Sequence, residues 1–210
     1  MIRIGLILGW VGLALALGWS QVGLSQGETL GSVGERSNPV AQTIVEAMRS
    51  ATNADLALLG AAFFNESAAV PTSGFSADDL IKALAHPDDE VVVLSLRGEQ
   101  ILQALERALE LYPQKNNAFL QLSGAEVRFN PKADPGKRIV SVMIAGAKLD
   151  PARTYRVATT APMARGALGY FRVWNRDQIT QSTGHTVADA IRDYAKWQRS
   201  LLSHPAWTAQ

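Results

Sequence analysis

The 210-residue chain contains no cysteine. Disulfides, thiolate metal sites, a cysteine nucleophile and lipid acylation at the N-terminus are therefore all excluded. The absence leaves both oxidising and reducing compartments open. A surplus of charge of one sign is also lacking, since 20 Lys and Arg face 19 Asp and Glu. No basic field is present to hold nucleic acid or an anionic membrane surface. Histidine is scarce: His86, His185 and His204 are the whole supply. No Ser-His-Asp order and no Gly-x-Ser-x-Gly elbow stands out. Gly31-x-x-Gly34 lacks the Lys and the preceding strand of a phosphate loop. Internal repeats and low-complexity tracts are missing too.

One long apolar run is present, and it lies at the start. Arg3 is the only charge before Glu28, and Ile4 to Trp19 is almost wholly apolar. Gly23-Leu24-Ser25 supplies small residues where a signal peptidase reads. Residues 1–25 read as a secretory signal peptide cleaved near Ser25. The run is short for a membrane span, which needs about 20 residues; an uncleaved anchor is the competing reading. The expectation is an exported protein, periplasmic, extracellular or lumenal, with no stable span after cleavage.

Nearly half of the residues are apolar, enough for one domain with a sizeable core. Residues 26–36 are polar and Gly-rich and read as a linker. Asn38-Pro39 makes an N-cap and first-turn pair. A helix follows to about Ala51, and Asn53 ends it. Asp55 to Leu59 reads as a short buried strand. Ser76-x-x-Asp79 starts a short helix, Val91 to Leu96 is a β-branched strand, and Gly98 opens a helix that Pro113 stops. Val187 to about Leu202 reads as a last amphipathic helix, with 205–210 as a tail. The domain is placed at 37–204 and its class is α+β.

Phe119 to Thr160 reads FLQLSGAEVRFNPKADPGKRIVSVMIAGAKLDPARTYRVATT. Period-two alternation between Asp134-Pro135-Gly136, Ala145-Gly146 and Asp150-Pro151 predicts an antiparallel meander. The block resembles the C-terminal substrate-binding domain of the 5'-nucleotidases. There FLQVSG, a PGxRVxSVxVxGxxLDP hairpin and TYRVAT follow in this order. ERSNPVAQTIVEAM, ATNADLALL, GFSADDLIKAL and VVVLSLRGEQILQALERAL resemble further framework segments of that family, so the likeness spans about residues 34 to 174. It implies a single 5'-nucleotidase C-terminal-like domain, with a mixed or antiparallel sheet and packed helices.

The same resemblance assigns positions to function. Whole enzymes of the family carry a second, metallophosphoesterase domain with two metals and the catalytic His-Asp pair. Its Asp-x-His and Gly-Asn-His-Glu type motifs are not in this sequence, so no catalytic residue, metal or cofactor is expected here. The family's opening, phosphate-contacting Arg falls on Arg36. Its Asn-x-Gly-Gly-Ile-Arg run falls on Gly60 to Asn65, where the Asn, both glycines and the Arg are missing. The two phenylalanines that sandwich the base fall on Pro87 and Pro162, and the ribose-contacting Asp falls on Leu168. Base stacking is worth about 1–3 kcal/mol per base, so loss of both rings implies loss of tight nucleotide binding.

Ala85 to Glu90 spells AHPDDE, which looks like the zinc motif of the LmbE/PIG-L amidohydrolases. Its context differs, because a helix precedes it and a strand follows, and no paired His motif supplies a third ligand. Asp88 and Asp89 therefore read as solvated turn residues. Phe63-Phe64, where the family keeps glycines, reads as pocket filling rather than a contact surface. Tyr170, Phe171 and Trp174 read mostly as core; Trp197 and Trp207 read as core or as a docking surface. The sequence-level expectation is an exported, non-catalytic binding or interaction module whose partner is another protein of that compartment. The alternative is the substrate-binding part of a nucleotide hydrolase that works with a separate metallophosphoesterase chain.

Overall fold

The computed structural model describes residues 27–210. The signal-peptide reading of residues 1–25 lies outside them. β1 (Glu28–Thr29) pairs with β3 (Ala69–Val70) in a small antiparallel ribbon. α1 (Pro39–Thr52) starts where the Asn38 side chain accepts from the Ala41 N–H at 3.1 Å, and it stops at Asn53 in the left-handed conformation, φ 49°. Val40, Ile44, Val45 and Met48 make its buried face.

The principal sheet has five strands in the order β10-β4-β9-β2-β5. They are β2 (Leu56–Gly60), β4 (Glu90–Arg97), β5 (Leu120–Ser123), β9 (Thr154–Thr160) and β10 (Ile179–Thr186). β2 and β9 are parallel, and the other neighbours are antiparallel. The second sheet runs β11-β6-β7-β8, with β6 (Ala125–Phe129), β7 (Ile139–Ile144), β8 (Ala147–Lys148) and β11 (Trp207–Ala209). The helices are completed by α2 (Ala77–Ile81), α3 (Gly98–Ala108), α4 (Ala161–Ala164) and α5 (Val187–Tyr194). This is the mixed α+β architecture expected. Ser76 and Asp79 form the predicted capping box on α2.

The block from Phe119 to Thr160 is not one meander. β6, β7 and β8 form one, and its last turn places Ala145 and Gly146 both at positive φ, as a tight hairpin requires. β5 and β9 belong to the other sheet. Gly124, at φ 78°, turns the chain between the sheets where an added Cβ would collide with the Asp55 carbonyl. Burial marks the difference: β5 is buried on both faces, whereas β6 alternates.

Three other boundaries are corrected. Residues 26–36, read as a linker, are packed from 28 onward, with Leu30 and Val33 fully buried. Gln121 holds them. Its Nε2 donates to the Val33 carbonyl at 2.8 Å and the Arg36 carbonyl at 2.7 Å, and its Oε1 accepts from the Asn38 N–H at 3.0 Å. Residues 205–210, read as a tail, contain β11, which runs parallel to β6, while the Trp207 indole donates to the Leu120 carbonyl at 2.7 Å. The last helix ends at Tyr194 rather than near Leu202.

β10 reads ITQSTGHT, which has no apolar alternation to mark it as a strand. It is a mostly exposed edge strand with register shifts, and the hydroxyls of Thr180 and Thr183 donate to the Val93 and Val91 carbonyls of β4. Between α1 and β5, the Glu46 carboxylate accepts from Arg49, Ser50 and Ser123. Burial alone would raise its pKa, but these bonds outweigh burial and hold it below the usual value.

Gln121→Ala leaves the buried Val33 carbonyl and the buried Asn38 N–H without partners, at about 1–3 kcal/mol for each, and frees the part-buried Arg36 carbonyl. Urea titration is expected to show a loss of several kcal/mol with an unchanged m value. Trp207→Ala is expected to cost about 3–5 kcal/mol in the same assay, as for other buried aromatics; a tail would give no change.

Candidate functional site

The C-terminal ends of the parallel strands β2 and β9 lie at the same edge of the sheet, and the start of antiparallel β4 joins them there. In open sheets that contain parallel strands, this edge is where ligands bind. β2 ends at Gly60 and passes into a 3₁₀ turn, Ala61–Phe63. The Ala61 and Ala62 N–H groups donate to the carbonyls of Phe119 at 2.8 Å and Asn117 at 3.1 Å. β9 ends at Thr160 and passes into α4, which carries Pro162 in its first turn.

The third wall is the turn from His86 to Asp89, clamped from both sides. The Ala85 N–H donates to the Phe63 carbonyl, and the Val187 and Ala188 N–H groups at the start of α5 donate to the Asp89 and Pro87 carbonyls, each at 2.9 Å. The fourth is a 3₁₀ segment, Ala167–Arg172, in which Leu168 (φ 57°) and Gly169 (φ 81°) are left-handed. Arg107 of α3 holds it by donating twice to the Leu168 carbonyl.

Ala62, Phe63, His86, Asp89, Pro162 and Leu168 together line a cup of about 380 Å³. Leu168 presses against the end of β2, so closely that a Cβ at Gly60 would collide with its Cδ1. Phe63 is 7% exposed and Phe64 5%, with the Phe63 ring edge-on to His86 at 6.3 Å. Behind the cup, Tyr170 is fully buried and stacks on Trp174 at 4.7 Å. The Tyr170 hydroxyl donates to the Ala118 carbonyl at 2.6 Å, and burial pushes its pKa far upward. Phe171 points outward, 65% exposed.

Asp89 departs from the solvated turn residue expected. Asp88 is exposed, but Asp89 is half-buried and its Oδ2 is sealed from solvent with no hydrogen-bond partner among the described residues. Desolvation raises its pKa, Asp88 adds to the rise, and His86 and Arg165 offset part of it. The hydroxyl oxygens of Thr159 and Thr160, at the end of β9, are likewise buried and unpaired.

Among the described residues no group of three His, Asp or Glu side chains converges as a metal site. His86 and Asp89 share the cup, whereas His185 and His204 line other hollows. Arg36 is exposed ahead of α1 and does not line the cup. A larger hollow of about 710 Å³ lies between α3 and β7, but its walls are mainly apolar. Sequence reasoning located Phe63, Pro162 and Leu168 as altered positions and read Asp89 as a solvated turn residue.

Residues 20–176 match the family described as 5'-nucleotidase, C-terminal domain. The chain is 28% identical over 112 residues to a 5'-nucleotidase of Diplobatis ommata, covering 50% of this chain and 19% of that one. It is 31% identical over 118 residues to the protein UshA of Salmonella pullorum, covering 56% of this chain and 20% of the relative. The chain thus spans about a fifth of the length of these curated relatives. The crystal structure of a 5'-nucleotidase precursor from Thermus thermophilus superposes with a TM-score of 0.73 at 22% identity, over 86% of this chain and 37% of that one. By the family match and the shared fold, the chain belongs to the 5'-nucleotidase C-terminal domain family.

Proposed function

We propose that this chain is an exported, non-catalytic member of its family, acting as a binding or interaction module whose nucleotide pocket has degenerated. The carrying observation is the wall of the cup. Where the resemblance places a ribose-contacting Asp stands Leu168, wedged against Gly60. Where it places base-stacking rings stand Pro87 and Pro162. The guanidinium of Arg107 is committed to a backbone carbonyl, and the ionisable wall residues are His86 and Asp89. A desolvated carboxylate in the wall opposes a phosphate rather than holding it.

Export rests on the apolar run from Ile4 to Trp19 and the small residues before Gln26. Among the described residues no helix is long and apolar enough to cross a membrane. The exposed Trp197, 65% accessible, and Phe171 give such a module apolar surface for contact with another protein.

The second reading makes the chain the substrate-gripping part of a nucleotide hydrolase, completed by a separate metallophosphoesterase chain. It is favoured by one observation: Arg36, at the position the resemblance gives to phosphate contact, is exposed, and its side chain makes no hydrogen bond or ion pair among the described residues.

Calorimetry with AMP, adenosine and a UDP-sugar separates the two. The degenerate pocket gives no saturable heat with any of them. Micromolar binding of AMP that falls in Arg36→Ala would overturn the degenerate-pocket reading in favour of the second.

A further inference from the structure

Of the two outward-facing aromatic side chains, Trp197 has the more particular setting. Both are 65% exposed, but Trp197 borders a hollow of about 290 Å³ framed by α1, β10 and α5. That hollow shares no lining residue with the cup. Folding alone does not favour leaving so large an apolar ring in water beside a concavity. The ring is also held in place. It meets the buried Tyr194 ring edge-on, with the centroids 4.5 Å apart, and the Trp197 backbone N–H donates to the Tyr194 carbonyl at 3.3 Å. An indole anchored in this way loses little freedom when a ligand settles on it.

The carboxylates around the hollow are matched. Asp189 accepts from Arg192 at 3.1 Å and Asp193 from Lys196 at 2.6 Å, each cation lying three residues on. These pairs leave no surplus charge to draw an ion. What stays open are hydrogen-bonding groups. The His185 ring makes no hydrogen bond among the described residues. The Tyr194 hydroxyl makes none either, and it is not sealed from solvent. Burial and the Glu46 carboxylate push the Tyr194 pKa up to about 12, so the hydroxyl stays protonated and can both donate and accept. Oδ1 of Asp193 takes the Lys196 bond, which leaves Oδ2 to accept.

A ligand that fits this set is neutral, has an apolar face and carries hydroxyls around its edge. A pyranose ring has that chemistry: C–H groups form its faces, and hydroxyls that donate and accept form its rim. Drug-sized ligands occupy sites of about 300–1,000 Å³, so this hollow has room for a single ring.

We infer that the hollow between α1, β10 and α5 is a binding site for one neutral pyranose unit, with a C–H face on the Trp197 indole and hydroxyls toward His185, Asp193 and Tyr194. This rests on the reading of the chain as a binding module, and it names a ligand class for the Trp197 side of that module.

The test is NMR titration of the full chain with methyl β-D-glucopyranoside, with n-butanol, tetramethylammonium and AMP as separate probes. The glucoside is expected to shift the Trp197 indole N–H and the amides of His185 and Asp193 saturably. Trp197→Ala is expected to weaken it about tenfold, the scale of one aromatic contact. Trp197→Phe keeps an aromatic face and is expected to bind within about threefold of the wild type. Absence of a saturable shift at these positions, or an equal affinity in Trp197→Ala, would overturn the inference. Equal losses in the two variants would do so too, because a ring face would then play no part. Equal shifts with butanol would reduce the site to apolar contact, and saturable shifts with tetramethylammonium would make it a cation site; either result sinks the pyranose assignment. An AMP response at Phe63 and Leu168 would instead overturn the lost-pocket reading and leave the pyranose site standing, so the two failures are distinguishable.

Discussion

The structure depends on the position of β9. It lies in the middle of the principal sheet, paired with β4 at seven consecutive positions and in parallel with β2. Both flanks of the strand are thus satisfied by backbone, and its interior is buried. A parallel pair cannot be closed by a short turn. Between β2 and β9 the chain adds β4 and β5 to the same sheet and builds α2, α3 and the β6–β8 meander outside it. The same pairing brings the end of β2, the end of β9 and the beginning of β4 to one corner. The cup is a consequence of that convergence.

Polar groups show how differently the framework and the cup are treated. In the framework, Gln121 satisfies three backbone groups of the segment leading to α1, and Glu46 collects donors from α1 and β5. In the turn before β4 and at the end of β9, Asp89, Thr159 and Thr160 keep buried oxygens without partners. A fully paired network specifies a fold, whereas an unpaired buried group lowers stability. The contrast locates the region of the molecule where stability has not been maximised.

Family membership and activity separate along the same line. The segments that carry the likeness to 5'-nucleotidase C-terminal domains are the ones that form β2, β4, α3, β6, β7 and β9, the packed framework. The cup is lined instead by residues from turns: Ala62 and Phe63 after β2, His86 and Asp89 before β4, Pro162 and Leu168 after β9. Turn residues can change without cost to the core, so a chain can keep the architecture while its pocket changes sign and shape.

Sequence alone determined the local elements wherever a repeating pattern or a cap existed. Asn38-Pro39 and Asn53 set the limits of α1, Ser76 and Asp79 began α2, and the hydrophobic periodicity of β4 and α3 was plain. It also marked Phe63, Pro162 and Leu168 as altered positions, because the framework on either side of them was legible. What it could not determine was partition among sheets, since β5, β6 and β9 read alike until their burial is known. Nor could it place β10, whose threonines substitute hydroxyl bonds for apolar alternation, or Gln121 and Trp207, whose partners lie far away in sequence. Only the tertiary structure decided that Asp89 lies half-buried and unpaired in the cup rather than in solvent. Solvent exposure of a turn carboxylate is set by what packs beside it, here the turn after β2 and the residues after β9, and that neighbourhood has no local signature in the chain.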